Sequence, residues 1–338
     1  MDILVTGGAG YIGSHTVLSL LEKNYSVVVI DNLCNSSMTA LKRVQKICNK
    51  NIKFYQGDVR DKKLLREIFK ENDIDCVIHF AGLKSVGESV ARPLSYYENN
   101  FSGTLTILDV MAEYNIRKLI FSSSATVYGD PQEIPLKETS HVGGTTNPYG
   151  TSKYFAEKAL IDYAKSNSQV SITILRYFNP VGAHLSGLIG ESPKGIPNNI
   201  LPYVTQVAVG KLDELSIFGR DYPTKDGTGV RDYIHVMDLA EGHIAALNDT
   251  KSSENISIYN LGTGQGYSVL DILTVFENVT GMKVPYKFVQ RRPGDIAECW
   301  SDPSKALKCL NWKATRSLDQ MLADAWRWQE KNPNGFDD

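Results

Sequence analysis

The stretch Asp2-Ile3-Leu4-Val5-Thr6-Gly7-Gly8-Ala9-Gly10-Tyr11-Ile12-Gly13 decides the architecture of this 338-residue chain. Its first five residues read as a short buried strand that runs straight into a glycine turn. Val17, Leu18, Leu20 and Leu21 then set a helical pattern that Asn24 ends, and Ser26-Val-Val-Val-Ile30 is a second apolar strand stopping at Asp31. Strand, glycine turn, helix, strand, acid is the order of a dinucleotide-binding unit. Glycine lets the backbone approach a pyrophosphate, whose charge then sits at a helix N-terminus. Asp31 suits the adenosine ribose hydroxyls and would repel a 2′-phosphate. No arginine follows until Arg43, so the expected cofactor is NAD rather than NADP.

The alternation continues. Ile52-Lys-Phe-Tyr55 predicts a strand ending in Gly57-Asp58-Val59, and Leu64, Leu65, Ile68 and Phe69 mark a helix. Cys76-Val-Ile-His-Phe80 is a strand ending in Ala81-Gly82, residues 94–114 read as helix, and Lys118-Leu-Ile-Phe-Ser-Ser123 is another strand. Residues 148–166 form the next helix and Ser171-Ile-Thr-Ile-Leu175 the next strand. Such units imply an α/β fold, a Rossmann-type doubly wound parallel sheet with helices on both faces and right-handed crossovers. Ligands gather at the carboxyl ends of its strands. The glycine turn, Asp31, Asp58, Ala81-Gly82 and Ser122-Ser123-Ser124 all fall at such ends. After Arg176-Tyr177-Phe178-Asn179-Pro180 the pattern gives way to glycine- and proline-rich loops, with helices at about 200–210, 238–248, 268–280 and 317–331. The expected division is an NAD-binding domain at 1–180 and a smaller mixed α/β substrate domain at 181–338, parts of which pack back on the first. The tail after Asn332 reads as loose.

Bulk properties exclude several classes. With 42% hydrophobic residues the chain can bury a full core, and a net charge of −2 gives no global pull toward nucleic acid or membrane. Cys34, Cys48, Cys76, Cys299 and Cys309 are odd in number and form no CxxC, so neither a disulfide framework nor a metal site is indicated. No apolar run nears the ~20 residues of a membrane span. Nothing resembles a signal peptide, because Ile3-Leu4-Val5 meets glycines at once. The expectation is a cytoplasmic protein in a reducing compartment.

Asn147-Pro148-Tyr149-Gly150-Thr151-Ser152-Lys153 carries the chemistry. Asn147 is a good helix N-cap and Pro148 suits the first helical position, so Tyr149 and Lys153 share one face of the first turns. A tyrosine base at neutral pH needs its pKa lowered by about three pH units, roughly 4 kcal/mol. A helix N-terminus offers about 0.3–1 kcal/mol. An ammonium ~4 Å away supplies about 4 kcal/mol at an effective dielectric of ~20. The lysine is therefore the larger expected contribution.

Together with this pair, Thr6-Gly7-Gly8-Ala9-Gly10-Tyr11-Ile12-Gly13, Ser122-Ser123-Ser124-Ala125-Thr126-Val127-Tyr128-Gly129 and Arg176-Tyr177-Phe178-Asn179-Pro180-Val181-Gly182-Ala183-His184 resemble the extended short-chain dehydrogenase/reductase superfamily. Ile196-Pro197-Asn198-Asn199, Asp226-Gly227-Thr228-Gly229-Val230-Arg231-Asp232-Tyr233-Ile234-His235-Val236 and Arg291-Arg292-x-Gly294-Asp295 narrow the resemblance to the UDP-glucose (UDP-galactose) 4-epimerase family. The resemblance implies bound NAD and inversion of the hexose at C4 through a 4-keto sugar. It gives Tyr149 the role of base, Ser124 that of hydrogen-bond partner at O4, and Lys153 that of a nicotinamide-ribose contact that lowers the Tyr149 pKa. Gly7, Gly10, Tyr11, Ile12 and Gly13 match the pyrophosphate turn, Asp31 and Asn32 the ribose contacts, and Asp58 and Val59 the adenine contacts. Phe80, Ala81, Gly82, Lys84, Asn99, Ser122 and Phe178 match positions along the rest of the cofactor. For the nucleotide sugar, Arg231 and Arg292 match the diphosphate partners, and Lys84, Asn179, Asn199, Tyr233 and Asp295 other contacts.

Cys299 stands where members restricted to plain hexoses have tyrosine. A cysteine leaves room beside sugar C2 for an acetamido group, which implies activity on UDP-GlcNAc and UDP-GalNAc as well. Three other readings stay open on the same scaffold: a nucleotide-sugar 4,6-dehydratase, a reductase with exchangeable NAD, and a non-catalytic NAD sensor. The first needs an acid and a base beside the serine, and Ala125 and Thr126 supply neither. The third would show a broken Ser-Tyr-Lys set, which here is intact. The resemblance also implies a homodimer that pairs the helices at about 94–114 and 148–166.

Overall fold

The computed structural model describes residues 1–249, 255–292 and 294–336. Seven strands form one parallel sheet. Six of them are β1 (Asp2–Thr6), β2 (Ser26–Asp31), β3 (Lys53–Gln56), β4 (Ile74–His79), β5 (Lys118–Ser124) and β6 (Ser171–Tyr177), and the seventh is Ile256–Leu261. From the β3 edge the order is β3-β2-β1-β4-β5-β6 and then the seventh strand. The inner strands are almost continuously apolar because both of their faces are covered. On one face Val17, Leu18 and Leu20 of helix Tyr11–Glu22 pack with Leu239 and Ile244 of helix Val236–Leu247. On the other, Leu65, Ile68, Ile107 and Leu160 close over Leu4, Val77 and Leu119.

The seventh strand lies in sequence after the presumed boundary at 180, yet it pairs with β6 from Ile256↔Ile172 to Leu261↔Tyr177. The chain thus leaves the sheet after β6, builds part of a second core, and returns to it. That second core joins helix Ile200–Ala208, strand Leu215–Phe218, helix Val269–Thr280 and helix Leu318–Lys331 around Leu201, Ile217, Phe276 and Leu322.

Two local expectations change. Residues 94–114 are not one regular helix. Pro93 starts a short turn, Tyr97–Ser102 widens to π geometry, and a regular α-helix runs only over Gly103–Glu113. A π-turn inserts one extra residue per turn and re-aims its side chains. Here it aims Asn100, whose amide donates to Leu83 O at 2.9 Å and to Ser152 Oγ at 3.0 Å. The tail is not loose through residue 336 either. Phe336 packs on Trp328 with ring centroids 4.8 Å apart, and the Arg43 guanidinium lies 5.2 Å from the Phe336 ring centroid.

The strand order reverses between β1 and β4, which opens a crevice at the carboxyl edge of the sheet. The turns after β1 to β5 all end in it.

Candidate active site

The crevice has a volume of about 530 Å³. Gly7, Gly10, Tyr11, Ile12, Gly13, Asp31, Asn32, Asp58, Val59, Phe80, Ala81, Gly82, Lys84, Asn99, Ser122, Tyr149 and Lys153 line it. Phe178 is not among the lining residues. It packs in an apolar cluster with Ala125, Tyr128, Leu136 and Cys299.

The glycine turn fits a pyrophosphate. Gly7 has φ +69, and a Cβ on Gly13 would stand 2.2 Å from Gly7 O, so neither position accepts another residue without rearrangement. Gly10 caps helix Tyr11–Glu22 with no side-chain bond, and no acid stands in the first turn. The positive end of the helix is thus left for an external anion. Asp31 faces the same cleft: its Oδ2 accepts from Ala9 N at 3.0 Å and its Oδ1 from Leu33 N and Ser36 Oγ. Arg60 grips Asp58 through Nε and Nη2 at 2.9 and 2.8 Å, and hydrogen bonds from that guanidinium hold the carboxyl at about 2. Asn32 Nδ2 adds a 3.3 Å bond to the same carboxylate. A dinucleotide fits this donor and acceptor set.

Asn147 caps helix Pro148–Ser166 by accepting from Gly150 N at 2.9 Å, with Pro148 at its first position. Tyr149 is half-buried, and withdrawal from water raises its pKa above the usual phenol value, while a hydrogen bond with Ser124 pulls it down. Lys153 Nζ donates to Ser122 O at 2.7 Å and lies 4.9 Å from the centroid of the Phe121 ring. It makes no hydrogen bond with Tyr149 among the described residues. Burial is the larger influence on the phenol. Burial also lowers the Lys153 pKa to about 8, against the charge of Glu157, which raises it.

Thr126 was passed over as a chemical group, yet it shapes Ser124. Its backbone N–H and its hydroxyl both donate to Ser124 Oγ, at 3.2 and 3.0 Å. A hydroxyl that accepts twice has its own proton free to donate. The spacing from Ser124 to Thr126 is that of a serine turn, and it was visible in the sequence.

The substrate candidates fall into two groups. Lys84 Nζ and Asn199 Nδ2 converge on Glu191 Oε1, at 2.8 and 2.6 Å. Glu191 was not anticipated, nor were Tyr177 and Lys194, which also line the cleft. The second group sits along strand pairings. Glu298–Cys299 pairs with Val230–Arg231, so Cys299 stands opposite Arg231. The Arg231 guanidinium donates to Val230 O, Ala297 O and Ile296 O. Arg292 stacks on Phe218 at 4.2 Å and faces Asp295 at 3.5 Å. Asn179 pairs in register with Tyr233 on the next short strand, and Tyr233 is buried. Cys299 is 7% exposed, and burial raises its thiol to about 11. It is therefore a neutral thiol at physiological pH.

A family model described as GDP-mannose 4,6 dehydratase matches residues 4–325. The UDP-glucose 4-epimerase of Pasteurella multocida is 62% identical, over all of both chains. The chain belongs to the UDP-glucose 4-epimerase family. The enzyme of that name from Bacillus subtilis is 57% identical over 99% of each chain. The crystal structure of UDP-glucose 4-epimerase from Bifidobacterium longum in complex with NAD+ and UDP superposes with a TM-score of 0.97. It is 56% identical and covers 99% of this chain and 100% of that one.

Proposed function

We propose that this protein interconverts UDP-glucose and UDP-galactose, with NAD held through each turnover. The observation that carries the reading is the meeting of Tyr149, Ser124 and Lys153 at the carboxyl edge of a dinucleotide-binding sheet, in a member of the epimerase family. NAD, when bound, supplies the acceptor and donor of the C4 hydride. Tyr149 takes the proton of the sugar 4-hydroxyl and returns it after the ring has turned over. Ser124 donates to O4 with the proton that the Thr126 contacts leave free. Lys153, with its pKa near 8, carries positive charge at neutral pH and favours the phenolate that burial alone opposes. Arg231 and Arg292 offer planar donors to a diphosphate. Ala125 and Thr126 bring no acid–base pair to a dehydration, so the 4,6-dehydratase reading is not favoured.

The small, uncharged Cys299, standing where members restricted to plain hexoses have tyrosine, leads us to propose the N-acetylated pair, UDP-GlcNAc and UDP-GalNAc, as further substrates. We also propose a homodimer through the helices that carry Leu94 and Phe155, which are 79% and 43% exposed. Phe155 stacks on Tyr97 with centroids 6.0 Å apart, making an apolar face. Among the described residues no helix is long and apolar enough to cross a membrane, and all five cysteines are free, which fits the reducing cytoplasm.

The test is a coupled assay on purified protein with no NAD added. Turnover of UDP-galactose is the expected result, and its loss in Tyr149→Phe with NAD still bound completes the case. Inactivity of the wild type even after NAD is supplied would overturn the reading.

A further inference from the structure

Behind Tyr149 and Lys153 lies a buried polar network that this chemistry leaves unused. Arg176 on β6 is 2% exposed, and Glu157, one turn beyond Lys153, is 1% exposed. Glu157 Oε2 accepts from Arg176 Nη2 at 2.7 Å, and Oε1 accepts from Arg176 Nε at 3.0 Å and from Ser123 Oγ at 2.5 Å. Arg176 Nη1 donates to the Tyr128 hydroxyl, which donates to Asn260 Oδ1, and Asn260 Nδ2 donates to Leu136 O. Leu136 N in turn donates to Trp300 O, one residue from Cys299.

We infer that Glu157 is a positioning residue for proton transfer, clamping the strand end that carries Ser124 to the helix that carries Tyr149 and Lys153. The inference rests on the epimerase reading above. Tyr149, Lys153 and Glu157 recur every four residues and so share one helix face. Three consecutive strand residues each engage one of them: Ser122 O takes Lys153 Nζ, Ser123 Oγ donates to Glu157, and Ser124 bonds Tyr149. Arg176 draws on both carboxylate oxygens and so fixes the plane of the carboxylate against β6. Without this clamp the strand end keeps only the Ser122 O–Lys153 Nζ tie beside the Ser124–Tyr149 bond, and that separation is held less tightly. The same carboxylate is the negative charge that supports the Lys153 ammonium. His79 on β4 also feels that ammonium, and Tyr149 stands one turn before it on the same helix; neither is a carboxylate.

The experiment compares Glu157→Gln and Ser123→Ala with the wild type, all carrying NAD. Glu157→Gln keeps the shape and removes the charge. Its kcat on UDP-galactose should fall about 10- to 100-fold, the loss typical of a reacting geometry relaxed by about an ångström, with KM within about threefold. The alkaline limb of its kcat profile should move to lower pH, because Lys153 loses the charge that holds its proton. Ser123→Ala, which leaves the ion pair whole, should lower kcat and leave that limb in place. A Glu157→Gln enzyme with wild-type kcat, or one whose alkaline limb stays put, overturns the inference. If Glu157→Gln fails to fold, wild-type kcat in Ser123→Ala overturns it. An inactive wild type refutes the epimerase reading instead.

Discussion

Replacing Lys153 with methionine should abolish turnover and leave the fold as stable as before, or more stable. Burial brings the Lys153 pKa from 10.5 to about 8. At 1.36 kcal/mol per pH unit, this opposes the folded state by about 3 kcal/mol at pH 7. Methionine matches the stem, carries no charge and removes that cost. It also gives up the Nζ–Ser122 O bond, worth about 1.5–3 kcal/mol for a charged donor, so the net gain at pH 7 is about 0–2 kcal/mol. The pH dependence is the sharper test. A lysine whose folded pKa is lowered costs stability in full below that pKa, and the cost fades as pH rises toward the unfolded value. Between pH 7 and pH 10 the wild type should therefore gain on the variant by about 2 kcal/mol. Urea unfolding of both proteins at the two pH values, after removal of NAD, measures the gap, and every other titrating group is common to the pair. A constant gap across this range would refute the claim that the ammonium is strained by burial. An unfolded variant at pH 7 would refute the claim that its role is chemical rather than structural.

Cys299→Tyr should abolish turnover of UDP-GalNAc and keep that of UDP-galactose, as read in parallel coupled assays; equal loss of both would refute the claim that Cys299 makes room for the acetamido group. Arg231→Met and Arg292→Met should each raise the Kd for UDP by about 10- to 100-fold, the range of a charge-assisted bond worth about 1.5–3 kcal/mol, as titrated by calorimetry. Phe155→Glu should shift the protein from dimer to monomer in sedimentation, and an unchanged mass would exclude the Phe155 face as the interface.

The cofactor half was legible because its signals are local. Glycines at fixed offsets, apolar runs of strand length and an acid at the end of β2 each constrain the backbone within a few residues, and all of them fall in one cleft. Asn147 and Pro148 marked the helix start correctly for the same reason. What escaped were features set by distant partners. The Lys153 ammonium donates to Ser122 O on the strand before its helix, and no pattern within the helix places that carbonyl. Glu191, which gathers Lys84 and Asn199, sits on a loop with no periodic pattern to place it. Pro93 marks the start of the 94–114 stretch, but the widened turn at Tyr97–Ser102, which aims Asn100 at Leu83 and Ser152, has no local sequence signal.

The return of the chain to its first sheet has a consequence during synthesis. Among the described residues, Ile256–Leu261 alone covers the outer edge of β6. At about 5–20 residues per second, the ribosome needs roughly 4–16 s to pass from the end of β6 to the strand that covers it. Throughout that interval Ile172, Ile174 and Leu175 stand on an open, parallel-pairing edge, which is a template for a neighbouring nascent chain. Long-range parallel pairing is slow to form in any case. The yield of this protein in a cell should thus depend on translation speed between residues 178 and 255 and on chaperone supply, through a step that involves neither ligand.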